Sequence, residues 1–475
     1  MKKIGKMFFG VRLALADLAF ACGLMSVLML LGLRVAGGSD ARGGYVTDLT
    51  TTGTSDFVAY LKETYGELNN ALRTATYLHD RLSAKGNPFK IQGKKLVMSV
   101  ITGHNTGYAF TSGGAALPVG GTRSAINPET TYSRLIQTIA FDDETIVLSQ
   151  SDAGAFIDAM SLEMQGVQET GKLVLNQALY RDKVSALARV SVITGDPTFT
   201  VDNAGLSNTV SGDRTKYLME GQYVDIGTSA GAAHNAGCLV SSINHTADTF
   251  TLSAAATSVV IGDYVYIGVL GGASNSYNRG ITGLEAWLGS TTNTVWGINR
   301  TTAANAKWRP VRVNASNAAV SQQIIRKLVG TVQQWGADNG QKRADNQYEG
   351  AVLLTSIPDK NAYGDVLMNM KRIVNDMSLA GGWKAIEAEG YAMVSDADAP
   401  VGKIRFLNLN DWALGSPNGQ IAPTLWSPDG LVLRQVPGYD RWVAMFASRM
   451  ELGCMVPNRS GEIYGLNTAA YALES

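Results

Sequence analysis

The sequence predicts an α+β protein made of several packed units, and three observations predict it. Phe156, Met160, Met164, Val167, Val174 and Ala178 recur at spacings that hold them on one face of a long helix. Residues 198–268 then change character, becoming rich in Thr, Ser, Val and Gly with the alternation of half-buried strands. From Asn317 onward helix and strand signals alternate, as in an α/β unit.

The elements follow in order. Lys2, Lys3, Lys6 and Arg12 precede a run from Leu18 to Leu33, sixteen residues in which only Ser26 is polar. A basic start before an apolar run is the pattern of a signal peptide or short anchor, yet a span needs ~20 apolar residues. Ala19-Phe20-Ala21-Cys22 is similar to a lipoprotein cleavage site, but the apolar run continues past Cys22; Val35-Ala36-Gly37 is a small-residue stretch where a peptidase could cut. Three readings stay open for residues 1–44: a processed leader or over-long start, a membrane-active segment, or neither. Thr/Gly-rich residues from Tyr45 predict an extended arm, followed by a helix in which Phe57, Leu61, Tyr65, Leu68 and Leu72 share a face, capped by Ser55 or Asp56.

A strand is predicted from Leu96 to Ile101 and another from Tyr132 to Leu148. Between them, Thr102 to Thr131 reads as a loop of small and polar residues containing Gly113-Gly114-Ala115-Ala116-Leu117-Pro118. So long a loop is uncommon in a compact domain and is functional or ordered by a partner. The long helix runs from Gly154 to Tyr180. In residues 198–268, Gly221-Gln222-Tyr223-Val224-Asp225-Ile226 and Gly262-Asp263-Tyr264-Val265-Tyr266-Ile267 echo each other, and Cys238 to Ile243 and Thr249 to Leu252 alternate around the turn Asn244–Asp248. This reads as a small β-barrel inserted into the main fold. Further on, Ile324, Ile325, Leu328, Val332 and Trp335 make a helical face; Gly350 to Thr355 is a buried strand; a second helix opens at Pro358-Asp359 and carries Tyr363, Val366, Leu367, Met370, Ile373, Val374 and Met377. Shorter strands are expected at Ile404–Leu407, Leu431–Leu433 and Trp442–Met450.

At 475 residues the chain has room for two or three cores. Charged residues make up 17% against the ~25% typical of soluble domains, with 52 glycines. That suits a protein that hides surface against copies of itself, and equally a loop-rich β protein. Lys+Arg and Asp+Glu are both 40, and the pI is near 6.9, so no strong basic balance points to direct nucleic-acid grip. Cys22, Cys238 and Cys454 are odd in number and far apart, giving no disulfide framework.

Little chemistry is visible. His234, Cys238 and His245 form the one cluster; zinc would need a further ligand or a water, and surface histidines around a buried cysteine are the plainer reading. Asp142-Asp143-Glu144 reads as a solvated acidic turn. Trp287, Trp296 and Trp308 could stack bases or sugars, but core or interface packing is favoured. No nucleotide loop, hydrolase elbow or metalloprotease motif stands in a fitting context. Catalytic, cofactor and metal residues are therefore none, and no enzyme activity is expected.

The most informative stretch is Gly280-Ile281-Thr282-Gly283-Leu284-Glu285-Ala286-Trp287-Leu288, set after the long helix and before Val295-Trp296-Gly297-Ile298-Asn299-Arg300 and Trp308-Arg309-Pro310. With the loop run Gly113–Pro118, the helix–strand–helix series after Asn317 and the close Cys454–Arg459 and Ile463–Leu466, this order resembles the major capsid proteins of tailed bacteriophages, of the Hong Kong 97-like fold, over about residues 45–475. Arg181-Asp182-Lys183 departs from the Gly-Asp-Gly turn common in relatives. The resemblance implies residues 45–90 as N-terminal arm and helix, 91–150 as an extended-loop hairpin, 151–197 as spine helix and peripheral domain, 198–268 as the inserted β domain, 269–316 as linker, 317–435 as axial α/β domain and 436–475 as C-terminal peripheral strands. It implies self-assembly into pentamers and hexamers of an icosahedral shell around double-stranded DNA, without sequence-specific DNA contact, in a virion assembled in the host cytoplasm. Portal, scaffold or maturation protease would be further partners; no small molecule would be. An encapsulin-like compartment and a secreted or membrane-anchored β-rich protein are the alternatives.

Overall fold

The computed structural model describes residues 76–85, 87–112, 117–143, 153–202, 214–272, 275–336, 350–369, 376–378, 384–417, 419–427 and 430–467, all within the compact unit Asp48–Ser475. The leader 1–44, the helix expected at Phe57–Leu72, the run Gly113–Ala116, and Met370, Ile373 and Val374 lie outside the described residues, as do the side chains of Phe156 and Met160.

The chain is a mixture of helices and sheets around separate cores. A seven-stranded mixed sheet runs in the order Val311–Asn314, Gly461–Tyr464, Ile404–Asn408, Ala351–Thr355, Tyr391–Ser395, Lys384–Ala388, Asp376–Ser378. Its central strand Ala351–Thr355 is buried on both faces, as its continuous apolar run requires. The period-2 pleat divides it: Val352 and Leu354 face one core, Ala351 and Leu353 the other. On the second face lies the helix Gln322–Gln334, where Ile325, Leu328, Val329 and Val332 pack down and Ser321 caps the start by accepting from the Ile324 N–H. Beside it the helix Ile357–Asn369 packs through Ala362, Tyr363 and Leu367.

The expected second helix reached Met377, but Met377 stands in the edge strand Asp376–Ser378, opposite Ala385. A short apolar spacing fits either period, and edge pairing decided it. Leu431–Leu433 is not a strand; pairing falls instead on Arg434–Gln435. The strand expected at Leu96–Ile101 is broken at Met98-Ser99 into Lys95–Val97 and Val100–Ile101, which pair with different partners.

A closed barrel holds the strands Ala186–Gly195, Thr198–Asp202, Tyr223–Gly227, Ala233–Asn244, Thr249–Leu252 and Tyr264–Ile267. It takes in Ala186–Gly195, which precedes the composition change at residue 198. The two echoing motifs are direct neighbours: Val265 sits opposite Ile226 and Ile267 opposite Val224. Inward Val190, Val201, Val224, Ile226, Val240, Phe250 and Val265 fill its core.

The helix Ala153–Tyr180 is the longest element, 28 residues. Met164 and Val167 cover the strand pair Ser133–Asp142 and Arg441–Cys454, whose inward residues Ile139, Phe141, Ala444 and Phe446 form a small core. This antiparallel ribbon is in register from Ser133 opposite Met450 to Asp142 opposite Arg441.

Candidate assembly surface

Between Ile101 and Ala125 the chain leaves the body and returns. Its base is built in steps: Lys95–Val97 pairs with Glu129–Thr131, and Val100–Ile101 with Ala125–Ile126, both inside or beside the stretch read as loop. Beyond the base, Thr102 and Gly103 donate to the Ser124 carbonyl at 2.9 and 3.1 Å. Further out, Gly107 and Gly121 face each other so closely that a Cβ on Gly107 would sit 2.4 Å from the Gly121 nitrogen. The two arms run together because those positions lack side chains.

The apolar side chains on these arms do not fold back. Tyr108 is 76% exposed, Phe110 108%, Leu117 85% and Val119 90%. Removing an aromatic or branched aliphatic side chain from water is worth roughly 1.5–3 kcal/mol, so four such groups in solvent on one projection make it a candidate contact surface.

The base is held by the tryptophan cluster. Glu129 N–H donates to the Trp296 carbonyl at 3.0 Å. Trp296 and Gly297, with φ of 47° and 74°, form the two-residue turn between Thr294–Val295 and Ile298–Asn299, the geometry that matches strand twist. The Trp296 ring packs on Phe89 and Trp287, with centroids at 5.3 and 5.9 Å, and Trp287 packs on Trp308 and Trp412. Trp287 donates from Nε1 to the Leu452 carbonyl at 3.1 Å. All three tryptophans of the sequence reading are core.

The stretch Gly280–Leu288 is a close-approach junction. Around Gly283 the carbonyls of Ala178, Leu179 and Arg181 come within 2.3–2.6 Å of where a Cβ would stand, so the end of the long helix rests on bare backbone. A Cβ on Gly280 would meet the Ser185 hydroxyl at 1.6 Å. Ser133 donates to the Gly280 carbonyl, and the Thr282 N–H donates to the Glu451 carboxylate. Glu451 is fully buried, with Ser133 Oγ also within hydrogen-bond distance at 3.1 Å. Burial pushes its pKa up to about 7, against the pull of the Thr282 N–H and Lys183.

Behind this junction runs a buried ion network. Lys403 Nζ lies 2.8 Å and Arg405 Nη2 2.5 Å from Glu285; Arg405 Nε lies 3.0 Å and Arg312 Nη2 3.3 Å from Glu462. Arg405 also donates to the Tyr180 carbonyl at 3.4 Å, at the end of the long helix. Burial raises Glu285 despite Lys403; burial also works to raise Glu462, but Lys403 and Arg405 outweigh it and hold Glu462 low. Nearby, Asn176 donates to Asp398 at 2.6 Å and Tyr180 to Asp396 at 2.8 Å. Burial and then Asp398 raise Asp396.

The histidine–cysteine cluster separates. His234 pairs with Asp263 at 2.7 Å, His245 with Thr215 at 2.9 Å, and the Cys238 thiol is raised by burial and by Asp225. Among the described residues no three His, Cys, Asp or Glu side chains gather as a metal site, and no helix is long and apolar enough to cross a membrane. Asp142 and Asp143 stand at one end of the ribbon; Glu144 lies outside the described residues. The sequence reading missed Glu285, Arg405, Glu451 and Glu462. Arg405, Glu451 and Glu462 each stand as a charge beside apolar neighbours in a strand, as in Ile404-Arg405-Phe406, while Glu285 sits in the short helix Leu284–Leu288; the partners that give them meaning are remote in sequence.

No protein-family profile matches the chain, and no curated protein matches it. Solved structures are similar over most of its length. A chain of the cyanophage A-1(L) capsid asymmetric unit is 16% identical, with 84% of this chain and 95% of that one covered at a TM-score of 0.49. A chain of the native GTA particle capsid is 11% identical, with 91% and 99% covered at 0.42. A chain of the holo-SrpI encapsulin complex from Synechococcus elongatus PCC 7942 is 9% identical, with 87% and 98% covered at 0.40.

Proposed function

We propose that this chain is a major capsid protein, a structural subunit whose copies assemble into a closed icosahedral shell of pentamers and hexamers around a double-stranded DNA phage genome. The observation that carries the reading is the two-armed projection with Tyr108, Phe110, Leu117 and Val119 in solvent. A lone monomer gains nothing from that arrangement, whereas a neighbouring copy can cover it. Repetition then supplies stability: each contact is modest, but every subunit makes several. The order of sequence motifs supports the same reading. In it the barrel is an insertion, the seven-stranded sheet with its two helices is the axial unit, and the ribbon and long helix are peripheral. Assembly proceeds in the host cytoplasm, with portal, scaffold or protease as further partners, and the subunit performs no reaction.

Trypsin tests the role of the projection. Arg123 is exposed on its returning arm. Cleavage at Arg123 is expected in unassembled subunits and blocked in particles. Equal cleavage in both states would show that no neighbour covers the projection. Particle contents separate the two shell readings: nuclease-protected DNA fits a capsid, and a co-purifying enzyme with no DNA fits an encapsulin-like compartment.

A further inference from the structure

The ribbon of Ser133–Asp142 and Arg441–Cys454 carries opposite charge at its two ends. At one end Arg134 stands directly opposite Arg449, and like charges at directly opposed sites destabilise a strand pair. Neither has an ion-pair partner among the described residues: Arg134 lies over the Trp426 ring at 5.2 Å, and Arg449 reaches the neutral side chain of Gln420. Arg434 also lies over this indole, at 5.7 Å, but pairs opposite Val443, toward the other end of the ribbon. At the other end Asp142 stands opposite Arg441 in the register, and Asp143 and Asp440 flank that pair in sequence. Asp143 donates its N–H to the Asp440 carbonyl at 3.4 Å and accepts from Trp442 Nε1 at 3.0 Å. Asp440 is exposed, and so is Arg134.

The two ends cannot neutralise each other within one chain. Eight residues of strand separate Arg134 from Asp142, about 27 Å at ~3.4 Å per residue, against a screening length of about 8 Å at physiological salt. Ile136, on the same face as Arg134, is 45% exposed beside the arginine pair. We propose that the acidic end of this ribbon in one copy seats on the arginine end of the ribbon in a second copy. The contact rests on the shell-subunit reading, because it needs copies held side by side. Charge complementarity selects the partner: one chain supplies both halves, and its net charge is zero. A polyanion such as nucleic acid would satisfy the arginines but be repelled by the acidic end, so it accounts for half the pattern.

The test uses the full chain with two variants at exposed positions, Arg134→Glu and Asp440→Lys. Each alone is expected to lose the fast-sedimenting particle fraction while keeping the wild-type melting temperature. Mixing the two in equal amounts is expected to restore particles, because each variant then meets its complement. Normal assembly by both variants overturns the contact and leaves the shell reading standing. Failure of the mixture to recover, with melts unchanged, also overturns it. So does normal assembly of Arg134→Glu with loss of co-purifying nucleic acid, which would assign the arginines to a polyanion. Absence of particles from the wild type would overturn the shell reading and the contact together.

Discussion

Gly283 shows how one missing side chain holds a junction. Its φ is −78°, so backbone freedom is not the reason for glycine. The reason is space, since three carbonyl oxygens occupy the place of a Cβ. Gly283→Ala is therefore expected to destabilise the fold by about 2 kcal/mol or more, within the range of severe core substitutions, read as a lower melting temperature. Gly330 is the control: it lies inside the helix Gln322–Gln334 with nothing within 4 Å of its would-be Cβ, so Gly330→Ala should stabilise by up to ~1 kcal/mol. Glu451 gives a pH signature. Its folded pKa is raised to about 7 from 4.5, so the folded state holds the proton more tightly. The stability this gives is full below about pH 4.5 and is lost as pH rises through 7, about 3 kcal/mol in all. Glu451→Gln should flatten the pH dependence between 5 and 8, measured by melts across that window; an unchanged slope would assign it to other groups. The motif around Gly283 was visible in the sequence. Its cause was not, because the carbonyls it meets come from the far end of a helix a hundred positions upstream.

At the scale of elements, the ion network joins the short helix Leu284–Leu288, three strands of the seven-stranded sheet and the end of the long helix. Arg405 is its hub, 1% exposed between two carboxylates. Removing one partner of such a network leaves uncompensated buried charge, which costs about 3–5 kcal/mol. Arg405→Met is expected to lose that much in denaturant unfolding, and a loss under 1 kcal/mol would mean that Lys403 and Arg312 compensate. The elements themselves were largely legible. The face of Gln322–Gln334 and the echoing strands of the barrel followed from period, except that Trp335, read into that face, lies just past the helix and is 48% exposed. Where reading failed, at Met377 and at Leu431–Leu433, apolar spacing was compatible with more than one state, and strand partners remote in sequence decided. The charged hubs were illegible for a related reason: a single arginine in a strand has meaning only once Glu285 and Glu462 arrive beside it.

At the scale of the molecule, the tryptophans that could have been a binding platform are core, and the four most exposed large apolar groups among the described residues, Tyr108, Phe110, Leu117 and Val119, all sit on the projection between Ile101 and Ala125, with less exposed ones such as Ile261, Met368 and Leu431 elsewhere. Replacing Phe110, Leu117 and Val119 together by Ser should leave the melting temperature of the isolated subunit within about 2 °C, since these groups bury nothing in it, while abolishing particles. A large drop in melting temperature would place them in the subunit's own packing instead. The sequence marked the projection as a long glycine-rich loop, but not that it is two paired arms or that its apolar residues point outward; both depend on the glycine pair Gly107 and Gly121 meeting across the arms. The most direct measurement is electron microscopy of the purified full-length chain. Closed particles of uniform diameter with icosahedral symmetry are the expected result. A monodisperse monomer or small oligomer at every concentration and salt tried would contradict the account.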